Sequence, residues 1–201
     1  MKSLFYIALI TITTGIMAFN SIGELPIGAD MPNADVRMKD VNGKQVSLNE
    51  AKKKNGLLVM FTCNTCPYVV KNQSRTLEIS NAATKNDIGV ILVNSNEGLR
   101  NGADSYIAMQ AYAKDQGYKW HYVVDENSAL ADAFGANRTP ETFLFDSKGK
   151  LVYHGAIDDN PNDDKAVTRK HLNEAMVEMV GGKDVSVKTS RSVGCSIKRL
   201  K

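Results

Sequence analysis

The chain has 201 residues, of which 43% are hydrophobic and 23% charged. That is an ordinary globular composition, long enough for one domain with its own core. A formal charge of +3 and no block of five or six like charges give no argument for nucleic acid as a partner. Three cysteines are too few for a disulfide-built scaffold, so burial of apolar side chains has to supply the core.

Residues 1–20, MKSLFYIALITITTGIMAFN, carry Lys2 and then run uncharged from Ser3 through Asn20. The apolar part, residues 4–19, is shorter than the ~20 residues a membrane helix needs. Ala18, with Ile16 two before it, offers a cleavage site. The expectation is a secretory signal peptide, with an uncleaved anchor as the alternative. Export implies a periplasmic or secreted location, where disulfides persist. With three cysteines, at most two pair within the chain.

Residues 21–33 read as an extended lead-in, and ADVRMKDVNGKQVSL as a hairpin around VNGK. AKKKNG is a solvated linker. LLVMF at 57–61 is apolar at every position, as a strand buried on both faces requires. After Pro67 the pattern turns helical, with Val70, Leu77 and Ala82 as its apolar positions. Pro suits a first helical turn, where its missing N–H has no partner to lose. IGVILVNS is a second buried strand. GADSYIAMQAYAKDQGY is a helix with Tyr106, Met109 and Ala113 on one face, ended by Gly117. WHYVVD is a third strand. ENSALADAFGA is a short helix with Asn127 or Ser128 as cap and Gly135 as stop. ETFLFD and LVYHGAI form a hairpin around SKGK. DDKAVTRKHLNEAMVEMVGG closes the order as a helix with Val167, Leu172, Met176 and Met179 on one face. Strands alternating with helices imply an α/β fold with a central mixed sheet. The segment after Gly181 is basic and reads as a solvated, partly mobile tail.

Cys63 and Cys66 stand four residues apart inclusive, between a buried strand and a Pro-started helix, in FTCNTCPYVV. A helix start offers unpaired N–H groups and the positive end of the dipole, and both stabilise a thiolate, the nucleophilic form. The spacing keeps the two cysteines within disulfide reach. Cys63 is therefore expected to attack a substrate disulfide, and Cys66 to resolve the mixed disulfide. An inert staple is the alternative, but so small a loop removes little chain entropy. Structural zinc needs four ligands, and His121, His154 and His171 are isolated. Only His154 suggests a metal site, a Cys₂His copper-type arrangement with the two cysteines. DDNPNDD, residues 158–164, has calcium-like spacing, yet Asp163 and Arg169 stand where a calcium loop needs Gly and Glu. Capping of the last helix is its expected role.

FTCNTCPYVV, FGANRTPETFLFDSKGKLVYHGAIDDN and SVGCSIK together resemble thioredoxin-fold proteins of the peroxiredoxin-like (AhpC/TSA, redoxin) family, from about residue 23 to the C-terminus. The resemblance implies a thioredoxin-like fold over 21–181, with the hairpin as an N-terminal extension and 182–201 as a tail holding Cys195. It matches Thr139-Pro140 to the family's cis-proline, which faces the C-x-x-C and shapes a substrate groove. It departs from thioredoxins in having Leu57 at the position of their buried Asp and Thr62 at that of their Trp. The proton acceptor is then unassigned, and Glu141, beside Pro140, is the candidate nearest in sequence. The peroxiredoxin signature P-x-x-x-T-x-x-C is absent, since Met60 stands three before Cys63 and Cys63 three before Cys66. Cys195 is similar to a cysteine that recurs near the family's C-terminus, as an extra thiol without an assigned role.

The expected activity is exported thiol–disulfide exchange with a thiol or disulfide partner or a reductase. No cofactor beyond the redox-active disulfide, no metal and no nucleic acid are expected, and membrane contact only through an uncleaved N-terminus. A thiol peroxidase using Cys63 and a copper-binding module are the alternatives.

Overall fold

The computed structural model describes residues 23–200. The segment read as a signal peptide lies outside the described residues. Among those described, no helix is long and apolar enough to cross a membrane.

The centre of the molecule is β3 (Leu57–Thr62), buried at all six positions. Alternation explains its unbroken apolar run. Leu57, Val59 and Phe61 enter one core, and Leu58 and Met60 enter the other. β3 runs parallel to β4 (Gly89–Asn94), which runs parallel to β5 (His121–Val124). On the other side β3 pairs antiparallel with β7 (Glu141–Phe145), and β7 with β8 (Leu151–Gly155). The N-terminal hairpin, β1 (Met38–Asp40) and β2 (Gln45–Val46), extends the sheet beyond β5. The seven strands lie in the order β2-β1-β5-β4-β3-β7-β8. This is the mixed α/β sheet that the alternation of elements implies.

One face is covered by α1 (Leu48–Ala51) and α5 (Ala129–Phe134). The other is covered by α3 (Gln73–Lys85), α4 (Tyr106–Asp115) and α6 (His171–Val180). α1 falls between the expected hairpin and the expected linker, sharing only Ala51 with the latter, and is held by a capping box between Ser47 and Glu50. The helix expected from Pro67 is two, because the chain turns at Asn72 after α2 (Pro67–Lys71). Its buried face is Thr76, Ile79 and Ala83, while Val70 is exposed. Ser128 takes the N-cap position of α5, but its side chain makes no cap hydrogen bond; the Asp125 carboxylate instead accepts from the Leu130 and Ala131 N–H groups.

Residues 158–164 do not cap α6, which starts at His171 without a side-chain cap. Asp158 instead accepts the buried Arg75 guanidinium at 2.8 and 2.7 Å, and Asn160 folds the loop on itself. The tail after Gly181 is not a solvated terminus. Val185 and Ile197 are buried, and β9 (Cys195–Ser196) pairs antiparallel with β6 (Arg138–Thr139). The basic composition masked this, because its two buried apolar residues stand singly between polar ones.

Candidate active site

The C-x-x-C loop begins where β3 ends. Asn64, between the cysteines, fixes the loop to the interior. Its N–H donates to Asp104 Oδ1 at 2.9 Å, its Nδ2 to the Ala103 carbonyl at 2.8 Å, and its Oδ1 accepts from the Tyr122 hydroxyl at 2.8 Å. Asp104 is fully buried and also accepts from Asn94 and Asn96, each at 2.8 Å. A buried carboxylate is tolerated only when donors surround it, as here. This network escapes sequence reasoning because Asn64 and Asp104 are 40 residues apart and Asp104, in a stretch read as helix, lies just before α4 begins at Tyr106.

The opposite wall is the Thr139-Pro140 segment, whose peptide bond is cis. The Cys63 sulfur lies 3.6 Å from Thr139 Oγ1, and the Cys66 sulfur 3.3 Å from the Thr139 carbonyl oxygen. The strand pairing sets Cys195 directly opposite Thr139. That brings the Cys195 sulfur to 2.6 Å from the sulfur of Cys66. All three cysteines are free thiols, with Cys63 1% and Cys66 5% exposed and Cys195 half-buried.

The thiols share their protons unequally. Cys66 is held down to about 4, first by the hydrogen bond from the Cys63 thiol, against burial, with Cys195 as a further donor. Cys63 is pushed up, first because its proton is committed to Cys66 and then by burial, with the Asp104 charge adding to both. Cys195 is raised by burial and by its contact with Cys66. The three sulfurs titrate as a coupled set, in which the surroundings lower Cys66 and raise Cys63 and Cys195. The helix begins only at Pro67, so Cys66 occupies the N-cap and the Cys63 side chain is enclosed.

Glu141 is held elsewhere than on the sulfurs. Its Oε2 accepts from the Asn137 and Arg138 N–H groups at 2.8 and 2.9 Å, and its Oε1 meets His154 Nε2 at 2.8 Å. It braces the turn that precedes Pro140, and neither cysteine sulfur is among its hydrogen-bond partners. The His154 ring stacks on Phe143, centroids 4.2 Å apart, opposite it in the β7–β8 pair. One ring nitrogen of His154, Nε2, is therefore taken up by Glu141. His121 pairs with Asp40, and among the described residues no group of three or more His, Cys, Asp or Glu is placed to hold a metal ion.

A C-x-x-C at the end of a central strand, facing a cis-proline wall in a mixed sheet flanked by helices, defines a thioredoxin-like fold with a dithiol site. The redoxin family model matches residues 26–172, and the chain belongs to that family. The chain is 30% identical over 131 residues to the thiol-disulfide oxidoreductase ResA of Bacillus subtilis (strain 168), a match covering 62% of this chain and 64% of that protein's length. A crystal structure of an uncharacterized conserved protein from Geobacillus kaustophilus superposes with a TM-score of 0.81 at 32% identity, covering 87% of this chain and 93% of that one. A hypothetical protein from Sinorhizobium meliloti 1021 does so at 0.80 and 31%, covering 89% and 97%. The family match ends before Cys195.

Proposed function

We propose that the chain is a thiol–disulfide oxidoreductase in which Cys63 and Cys66 cycle between dithiol and disulfide. The observation that carries this reading is the meeting of both cysteines with one residue, Thr139, whose hydroxyl faces Cys63 and whose carbonyl faces Cys66. In the reducing direction, the pair's thiolate attacks a sulfur of a partner disulfide. A mixed disulfide forms and the partner's other sulfur leaves as a thiolate. The second cysteine then attacks the protein sulfur of that mixed disulfide, closing Cys63–Cys66 and releasing the partner's second thiolate. The oxidising direction is the reverse.

Thr139 and Pro140 form the wall of the substrate groove, and Glu141 acts behind it by bracing the turn. Cys63 is the attacking cysteine and Cys66 the resolving one, and the lowered Cys66 sulfur is the better leaving group. The partner is a protein or small-molecule thiol or disulfide, and the dithiol serves without a further cofactor. The N-terminal segment, Lys2 followed by an uncharged apolar run, supports export to the periplasm or beyond.

Turnover with insulin as disulfide substrate and dithiothreitol as donor tests the reading. Wild type is expected to turn over and Cys66→Ser to be inactive, and a wild type without turnover refutes it. Peroxide consumption that requires Cys63 and outpaces disulfide exchange would reassign the chain to the thiol peroxidases.

A further inference from the structure

A two-cysteine exchange needs no third sulfur, yet the fold delivers one to it. The 2.6 Å between the Cys66 and Cys195 sulfurs is near the ~2.05 Å of a disulfide bond. The placement is held on both sides of Cys195. A Cβ on Gly194 would stand 2.1 Å from the Thr139 carbonyl oxygen, so only glycine lets the strand lie this close. Beyond Cys195, the Ile197 N–H donates to the Asn137 carbonyl at 3.1 Å and its side chain is buried. The Lys198 N–H donates to Asn96 Oδ1 at 2.8 Å, and Arg199 bonds Asp132 at 2.7 Å and the Ala136 carbonyl at 2.8 Å.

β9 thus occupies the edge of β6 as an external extended segment would in strand addition. Its cysteine sits where the sulfur of such a segment would react. Exposure points the same way. Cys63 and Cys66 are enclosed, whereas Cys195 is the half-buried member that a partner meets first.

Building on the oxidoreductase reading, we propose that Cys195 is a third working thiol, which exchanges with the Cys63–Cys66 disulfide and carries the oxidised state to the surface. The Cys195 thiolate attacks Cys66 Sγ. The Cys66–Cys195 bond forms as the Cys63–Cys66 bond breaks, and the electron pair stays on Cys63 Sγ, which takes up the proton that Cys195 gave up. One disulfide replaces another, so no oxidant is consumed. A partner thiolate then attacks Cys195 Sγ and Cys66 leaves as the thiolate its surroundings favour. A second thiol of the partner, as its thiolate, displaces Cys195, leaving the partner oxidised and this protein reduced.

The test is disulfide mapping of the full chain, equilibrated with oxidised glutathione, alkylated in acid and digested without reduction. Wild type is expected to yield a Cys66–Cys195 link beside Cys63–Cys66, and Cys63→Ser to yield Cys66–Cys195 as its sole intramolecular link. A Cys63→Ser protein whose Cys195 stays fully alkylatable overturns the proposal. In Cys195→Ala, the Cys63–Cys66 disulfide should still form while insulin turnover falls on the order of tenfold. Unchanged turnover overturns the proposal as well and leaves the oxidoreductase reading standing. Wild type that forms the Cys66–Cys195 link without any insulin turnover refutes the oxidoreductase reading instead, and leaves the exchange between the three sulfurs in place.

Discussion

Gly194 crosses Thr139 so closely that a single added methyl group would stand 2.1 Å from the Thr139 carbonyl oxygen and 2.7 Å from its carbon. Both are backbone atoms with nowhere to move, because Thr139 is fully buried and followed by Pro140. Gly194→Ala therefore lifts β9 from β6 without touching a sulfur. The overpacking should cost about 1–3 kcal/mol. Iodoacetamide labelling of Cys63 and Cys66, followed by mass spectrometry, should accelerate by on the order of tenfold, the factor that ~1.4 kcal/mol supplies. Labelling at the wild-type rate would mean that the strap does not cover the dithiol.

The reduced protein should gain stability as pH rises from about 4, where Cys66 is held when folded, towards the ~8.5 of an unfolded thiol. Across that window the unfolded chain binds one more proton at Cys66 than the folded chain does, and stability rises wherever the unfolded state binds more protons. Above it the trend reverses. Cys63 and Cys195 are raised in the fold, so their unfolded thiols ionise first and draw the chain open. Urea midpoints of the reduced protein across pH measure this, and the rising limb should vanish in Cys66→Ser.

The Arg75–Asp158 pair joins α3 to the loop after β8, and the same guanidinium nitrogen also donates to the Asn160 carbonyl at 2.7 Å. Arg75→Met leaves the Asp158 carboxylate buried without its cation, which should cost about 3–5 kcal/mol. Arg75→Met with Asp158→Leu should recover most of that loss, since the uncompensated charge is gone. Chemical denaturation of the two variants beside wild type measures both values. A double variant no better than the single one contradicts this explanation.

Asp104 anchors the C-x-x-C loop through Asn64 and holds Asn94 and Asn96. Asp104→Asn turns one acceptor oxygen into a donor that faces the amide of a neighbour. The expected loss is about 1–3 kcal/mol, read from the urea midpoint, together with easier ionisation of Cys63, read from the pH dependence of its alkylation. The second effect follows from loss of the Asp104 charge, which adds to the Cys66 hydrogen bond and burial in holding Cys63 up.

What the sequence disclosed follows from what it encodes locally. LLVMF, IGVILVNS and the hairpin turns at VNGK and SKGK are short-range patterns, and each became the expected strand or turn. The C-x-x-C and the Thr139-Pro140 wall were legible because a spacing and a resemblance pointed to them. The Asp104 network and the seating of Cys195 were not. Each depends on which residues meet across 40 or more positions, and no periodicity records that. Glu141 illustrates the limit. Adjacency to Pro140 suggested a proton acceptor, yet the pleat turned its carboxylate to His154 and the 137–138 backbone.

The most direct test of the account is a redox titration of the full chain in glutathione buffers of stepped ratio, with free thiols counted by alkylation and mass. The account predicts one two-electron transition in which two of the three thiols disappear together. The oxidised-to-reduced ratio should change tenfold for about 30 mV, and the transition should be absent in Cys66→Ser. Three free thiols at every potential would contradict it.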